Sequence, residues 1–278
     1  MILNCSGHSD IVAFHTEWLM KRLREGVFAV EGQEVNNVYE LSPQKFELIM
    51  FQTKNPQPIL KYIPEIKKMG YKMIFIVTIT PYDNKIEPSF LSKRDIIAAT
   101  KQLSKLIGKN NVILKYAPII INSNYSSQKH LQCFCNLVSK LSNNIDSVYV
   151  DFVSNFNPAI HNSLFCQTIR KKEKENLLSQ FYKIANQYNI QSYSLSNNDE
   201  FETYLKKKAN SLFHKECCLN SIDMGLPNVC PGGCLYCNSG GNCHYKPENI
   251  IDSPLYIGNV NPQKKIKHRR IRKIYTES

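Results

Sequence analysis

From the N-terminus to about residue 205 the chain repeats one unit. A short run of apolar or β-branched residues is followed by a segment whose apolar residues recur at helical spacing. The runs expected to be strands are Ile2–Cys5, Phe46–Phe51, Met73–Thr80, Val112–Tyr116, Val148–Val153 and Ile190–Leu195. Several are apolar almost throughout, as strands are when both sheet faces are covered. Between them Ile59, Ile63 and Ile66, then Ile96, Leu103 and Ile107, then Leu177, Phe181, Ile184 and Tyr188 mark amphipathic helices. Ser92 with Asp95 supplies a helix start and Gly108 a stop. Parallel neighbours need a crossover, whereas antiparallel ones need only a turn, so a helix between successive strands implies a parallel sheet. The expected fold is therefore α/β, a complete or partial (β/α) TIM-like barrel. Periodicity does not register closure, and a flavodoxin-like doubly wound sheet stays open as the alternative. Residues 27–41 read as a small antiparallel hairpin inserted after the first helix.

Near Phe213 the composition turns to glycine, proline, asparagine and cysteine. Three parts follow: a barrel-like domain over 1–212, a cysteine-rich segment over 213–258 and a basic tail over 259–278. The longest uninterrupted apolar run, Met73–Val77, is far below the roughly 18 residues of a membrane span. No basic stretch leading into an apolar one opens the chain. A soluble, cytoplasmic protein is expected. Of the formal net charge of +12, Lys264, Lys265, Lys267, Arg269, Arg270, Arg272 and Lys273 contribute seven positive charges within residues 264–273. Such a run can contact nucleic acid by neutralising phosphates, or it can be a solvated tail or terminal strand. No aromatic residue interleaves it, which argues against a stacking platform for single strands.

If the sheet is a barrel, chemistry belongs at the C-terminal ends of its strands. Those ends carry Ser6, His8 and Asp10; Thr53, Lys54 and Asn55; Thr78, Thr80 and Tyr82; Lys115 and Tyr116; Asp151; and Ser194. Lys54, just past an apolar strand, can hold a carboxylate or phosphate. Lys115 interrupts an apolar run, and Asp151 does the same in Tyr-Val-Asp-Phe. Asp10, Lys54, Lys115 and Asp151 are the candidates for catalytic roles.

Six of the ten cysteines (Cys217, Cys218, Cys230, Cys234, Cys237 and Cys243) lie in one 27-residue stretch. In a reducing compartment such clustering reads as metal ligation. Cys5, Cys133, Cys135 and Cys166 read as structural. The centre of the cluster is Cys230-Pro-Gly-Gly-Cys234-Leu-Tyr-Cys237. Its glycines can turn three thiolates towards one place, and thiolates favour zinc or iron–sulfur clusters. Three assignments are open. One is a zinc site completed by Cys217, Cys218, Cys243 or His244. The second is an electron-transfer cluster with four cysteines. The third is a 4Fe–4S cluster on three cysteines, with one iron open to a small molecule.

The C-x3-C-x2-C spacing, with Tyr236 before the third cysteine, is similar to that of the radical S-adenosylmethionine enzymes, although there it normally lies near the N-terminus. The whole chain resembles the family known as domain of unknown function 1848. The resemblance rests on Ser9-Asp10-Ile11, Glu17-Trp18, Arg22-Leu23-Arg24-Glu25-Gly26, Thr53-Lys54-Asn55-Pro56 and Thr78-Ile79-Thr80-Pro81-Tyr82. It continues through Ile86-Glu87-Pro88, Ser221-Ile222-Asp223-Met224-Gly225, the cysteine octet and Ser253-Pro254-Leu255. The chain departs from the family's pattern at Gly7-His8, Ala117, Cys217-Cys218 and Asn238. The resemblance implies a 4Fe–4S cluster on Cys230, Cys234 and Cys237, with S-adenosylmethionine on the fourth iron and a docking electron donor. Lys54, Thr78 and Thr80 would grip that cofactor. The competing function is a non-catalytic zinc or iron–sulfur protein whose basic tail contacts nucleic acid. The substrate is not legible.

Overall fold

The computed structural model describes residues 1–5, 7–31, 35–153, 164, 166–194, 203–205, 207–208, 221–226, 229–237, 251–256 and 265–269. Its strands are β1 (Ile2–Asn4), β2 (Val27–Glu31), β3 (Val35–Glu40), β4 (Leu48–Thr53), β5 (Lys72–Thr78), β6 (Val112–Ile119), β7 (Ser147–Phe152), β8 (Gln191–Tyr193), β9 (Ser221–Asp223) and β10 (Lys265–Arg269). The helices are α1 (Ile11–Phe14), α2 (Thr16–Glu25), α3 (Ile63–Lys68), α4 (Lys93–Ile107), α5 (Ser127–Leu141) and α6 (Lys171–Gln187).

All six expected runs are strands, and all are parallel to their neighbours. A seventh, β9, comes from the segment expected to be a loop-rich appendage and lies parallel to β1. Three residues, Ser-Ile-Asp, are too few for a periodic signal. The spatial order is β8-β7-β6-β5-β4-β1-β9. The chain therefore advances strand by strand in one direction from β1 to β8, then returns to the far edge. A doubly wound sheet reverses direction near its middle, and this one does not. Among the described residues no ladder joins β8 to β9, so the expected closed barrel is not formed there. The two edge strands are only three residues long.

Alternation along the strands separates two faces. Leu3, Ile49, Phe51, Phe75, Val77, Leu114 and Val150 belong to the main core with helix residues such as Ile66, Leu103, Phe134 and Phe181. Ile2, Leu48, Ile74, Ile76 and Ile113 form a second cluster against Met50, Tyr204 and Leu205. Continued towards the C-terminal strand ends, the alternation that places this second cluster reaches Asn4, Gln52, Thr78, Lys115, Tyr149 and Asp151. The second face thus has an apolar floor and a polar top.

The helix signals hold where they were specific. The Ser92 side chain caps α4 by accepting from the Asp95 amide, and Gly108 ends that helix with φ of 85°. Ile59, Ile63 and Ile66 are buried, although Ile59 lies in a 3-10 turn (Gln57–Tyr62) preceding α3. Cys5 is buried in the core, while Cys133, Cys135 and Cys166 are half-buried. No helix of the described residues is long and apolar enough to cross a membrane.

Within the hairpin expected over 27–41, β2 and β3 pair antiparallel. The basic run contributes more than a tail, since β10 pairs in parallel with Val35–Tyr39 as an edge strand of this small sheet. Lysines on an edge strand also discourage pairing with another chain. The segment before it is anchored to α2. Trp18 Nε1 donates to the carbonyls of Ser253 (2.9 Å) and Leu255 (3.1 Å). An Arg22 guanidinium nitrogen donates to the Ile251 carbonyl at 3.2 Å, and the Ala29 amide donates to Pro254 at 2.8 Å. The short motifs Glu17-Trp18 and Ser253-Pro254-Leu255 are thus two sides of one contact. Trp18 is the only tryptophan and is fully buried. Its emission is expected to be blue-shifted, and to move to longer wavelength when the chain is ended after Ile250. Trp18→Ala is expected to cost roughly 3–5 kcal/mol in urea unfolding. An unchanged spectrum in the truncated chain would contradict this anchoring.

Candidate functional site

Cys230, Cys234 and Cys237 lie in a turn packed over the C-terminal ends of the central strands. Cys234 and Tyr236 are buried in a cluster with Tyr82, Ile86, Ile120, Tyr125 and Leu164, and Cys237, Phe90 and Val153 pack against it. The glycines are needed for this contact. Gly233 has φ of 61°, and a β-carbon on it would lie 3.2 Å from Pro88 Cγ. One on Gly232 would stand 2.9 Å from the Phe90 ring. The Leu235 amide donates to the Ile86 carbonyl at 3.1 Å, and the Cys237 amide to that of Cys234 at 3.0 Å. The Asp10 amide points at Cys230 Sγ, 3.5 Å away.

Glu87 holds the turn to the sheet. Its carboxylate is almost wholly buried and accepts from Lys54 Nζ at 2.9 Å and Thr80 Oγ1 at 2.7 Å. It also accepts from the Tyr236 hydroxyl and from Lys93 Nζ. Lys54 Nζ in turn meets the Tyr236 hydroxyl and lies 5.1 Å from that ring's centroid. Burial pushes the Glu87 carboxyl up, but Lys54 and Lys93 outweigh it and bring its pKa from 4.5 to about 2. Glu87 is charged at any ordinary pH, and two cations neutralise it.

The N-terminal strand end is tied to the same turn. Asp10 caps α1, with Oδ1 accepting from the Ala13 amide at 3.0 Å and Oδ2 from the Lys54 amide at 2.7 Å. Burial raises its carboxyl to about 6 against these bonds. Ser9 Oγ donates to the Leu226 carbonyl at 2.6 Å. At β9, Asp223 accepts from Asn4 Nδ2 at 3.0 Å and from the Gly225 amide at 2.7 Å. This gives the Ser-Ile-Asp-Met-Gly motif its role: it closes β9 onto β1 and directs the chain towards Cys230.

The third group stands on the polar top of the second sheet face. In register, Thr78 sits beside Lys115, and Lys115 beside Tyr149. Lys115 Nζ lies 5.7 Å from the Tyr149 ring centroid. Burial lowers the Lys115 pKa and nearby Lys54 lowers it further, while Asp151 and Cys237 act in the opposite direction. Burial raises Asp151, against a hydrogen bond from the Phe152 amide and the charges of Lys115 and Lys174. Lys115 is thus within electrostatic reach of both Asp151 and the last cysteine of the turn.

The candidates accordingly divide. Lys54 and Thr80 are committed to Glu87, and both Asp10 oxygens are taken by backbone amides, so these residues support the site and do not project freely into it. Thr78, Lys115 and Asp151 face the open side. Tyr82 is structural, its hydroxyl donating to the Pro118 carbonyl at 2.7 Å and accepting from the Ile120 amide at 2.8 Å. Glu87 was not singled out from the sequence. Its one signal was an acidic residue in Ile86-Glu87-Pro88, a segment with no strand or helix pattern. Ser6, Cys217, Cys218, Cys243 and His244 lie outside the described residues. Among the described residues, no three histidine, cysteine or carboxylate side chains converge as ligands of one metal ion. A cleft of about 820 Å³ lined by Phe14, His15, Glu17, Trp18, Lys61 and Gln102 lies on the helical side, and its charged groups Glu17 and Lys61 pair with each other at 3.1 Å.

The surroundings of the turn act on two of its thiols. Burial raises the thiol of Cys230 and takes that of Cys234 to about 12, and each is raised further by its neighbours in the turn. Lys54 acts to lower Cys234. Buried thiols held in this form are poor nucleophiles. Their donor chemistry is ligation, in which a metal displaces the protons.

Glu87→Gln is expected to cost about 3 kcal/mol, because it leaves Lys54 and Lys93 without their buried counterion. The sign with pH follows from the lowered pKa. The contribution of Glu87 is complete above its ordinary value of 4.5 and is lost as pH falls through about 2. Urea unfolding between pH 5 and pH 2 is therefore expected to show an acid limb in the wild type that flattens in Glu87→Gln. Equal slopes in the two proteins would contradict the role given to this carboxylate.

Among proteins of known function, a search of curated proteins finds no match. A family model described as "Domain of unknown function (DUF1848)" matches residues 2–215. The match covers the strands β1 to β8 with Asp10, Lys54 and Glu87, and it ends before β9 and the turn itself. On that match the chain belongs to the DUF1848 family.

Proposed function

We propose that this chain is an iron–sulfur protein of the radical S-adenosylmethionine type, built on a partial (β/α) barrel with its cluster loop at the C-terminal end of the chain. The observation that carries this reading is the cysteine turn: three thiols, one buried and two half-buried, packed over the C-terminal ends of a parallel sheet. Cys230, Cys234 and Cys237 would each hold one iron. A single zinc ion needs its ligands at one point, whereas a cluster takes one thiolate at each of several irons and tolerates wider separation. The donor set fits the cluster in a second respect. The Asp10 amide aimed at Cys230 Sγ is the kind of hydrogen bond that tunes cluster sulfurs. When bound, a three-thiolate 4Fe–4S cluster supplies an open iron and the electron that cleaves S-adenosylmethionine.

The chain's own residues have separable tasks. Lys54, held by Glu87, sets positive charge beside Cys234 and offsets thiolate charge. Tyr236 and Phe90 cover the turn and exclude water. Thr78 is the one of the three proposed cofactor contacts not tied to Glu87. An electron donor is a required partner, and a reducing, cytoplasmic setting suits free thiols and a cluster.

Anaerobic purification and reconstitution with iron and sulfide is expected to give a brown protein with about four irons per chain, in keeping with the cluster type. Incubation with reductant and S-adenosylmethionine should then release 5′-deoxyadenosine, and Cys234→Ala should abolish it. Colourless protein carrying stoichiometric zinc would overturn the reading and leave a structural staple. Iron incorporation without cofactor cleavage would leave an electron-transfer cluster and remove the enzymatic part.

A further inference from the structure

We infer that Lys115, with Thr78 and Asp151 beside it, is the docking point for an anionic group, a carboxylate or a phosphate, on the molecule processed at this site. The inference rests on the preceding reading only in calling the strand ends an active site. Its own ground is the geometry of the second sheet face.

Lys115 lies on a central strand, flanked by β5 and β7. Below it the face is closed by Ile74, Ile76 and Ile113. Its ammonium therefore stands at the boundary between an apolar floor and the space under the cysteine turn. Among the described residues it makes neither an ion pair nor a hydrogen bond, and its contact is with the face of the Tyr149 ring. Lys54 and Lys93 each have a carboxylate partner, both meeting Glu87, while Lys174, half-buried over the Phe152 ring, acts on Asp151 from a distance as Lys115 does. A lysine removed from bulk water and left without an acceptor is costly unless something supplies one. Asp151 is near enough to act on it electrostatically without forming a salt bridge, so this carboxylate does not occupy the ammonium directly.

The alternative for Lys115 is a solvated head on a strand edge. Its position in the middle of a seven-stranded sheet excludes that. Surface lysines such as Lys105 and Lys109 lie instead on the exposed helical layer and its following turn.

The test is lysine footprinting. Wild-type protein is labelled briefly with acetic anhydride at constant ionic strength, in chloride alone, with inorganic phosphate, or with acetate. Site occupancy is then read by peptide mass spectrometry. Labelling of Lys115 is expected to fall several-fold, and saturably, in at least one anion arm, while Lys105 and Lys109 stay constant. Protection by phosphate alone assigns a phosphate-bearing substrate, protection by acetate alone a carboxylate, and protection by both the shared oxyanion chemistry. Equal labelling of Lys115 in all arms overturns the inference, as does a change that merely parallels Lys105. As a second measure, the anion-dependent rise in Tm is expected to persist in Lys115→Arg and disappear in Lys115→Gln, and loss in neither variant counts against the site. Both measurements are made on protein as isolated and after iron reconstitution. Anion protection without iron uptake would sink the cluster reading alone, and iron uptake without protection at Lys115 would sink this one alone.

Discussion

The buried carboxylate of Glu87 is the interaction on which the site depends. A charge so far from water is tolerated only when it is paired and its lone pairs are used, and here Lys54, Lys93, Thr80 and Tyr236 use them. Each partner arrives from a different piece of chain: Lys54 follows β4, Thr80 follows β5, Lys93 opens α4, and Tyr236 belongs to the cysteine turn. One acidic side chain therefore sets the distance between the sheet and a turn some 149 residues away in sequence. Removing it would free two cations and a phenol together, so its effect should exceed that of any single partner.

That arrangement makes the position of the cysteines along the chain almost irrelevant to their chemistry. A turn of eight residues needs only a surface shaped to receive it. The surface here is built by Pro88 and Phe90 against the two glycines, by Ile86 for a backbone bond, and by Asp10 for an amide towards Cys230. All these receptors lie in the first ninety residues, while the turn lies beyond residue 229. β9 is the device that brings the two together. Asp223 locks to Asn4 at the strand end, and the chain emerges beside Ser9 and Asp10.

Much of the fold was legible because its signals are local. Six apolar strands, the α4 cap at Ser92 and its Gly108 stop, and the 27–40 hairpin all follow from pattern and turn chemistry. What was missed has a physical cause in each case. β9 is a three-residue edge strand stabilised by side-chain bonds to another strand, and periodicity has nothing to read in it. For β10 a terminal strand was one reading of the basic run, but its partner was not legible, because pairing to β3 is a tertiary event. Closure of a barrel depends on whether the first and last strands meet, and strand propensity is silent on that. The site divides in the same way. The cysteine spacing and the lysines at strand ends could be named from the sequence, but their division of labour could not. Lys54 and Lys115 look alike in the sequence, each a cation closing an apolar run. Only Glu87, sitting in an irregular segment, makes one of them a structural counterion and leaves the other facing the open side.

This division carries a consequence for electrostatics at the site. Burial favours the protonated forms of Cys230 and Cys234, and neighbouring charges in the turn add to it. Of the two cations near the turn, Lys54 acts to lower the thiol of Cys234, and with Lys93 and Glu87 it belongs to a group of one net positive charge. Lys115 has the charge of Asp151 near it, which offsets its own in part without a salt bridge. On the reading proposed above, ligation would remove the thiol proton next to Lys54, and the net positive charge of the Lys54–Glu87–Lys93 group would offset the thiolate charge gained.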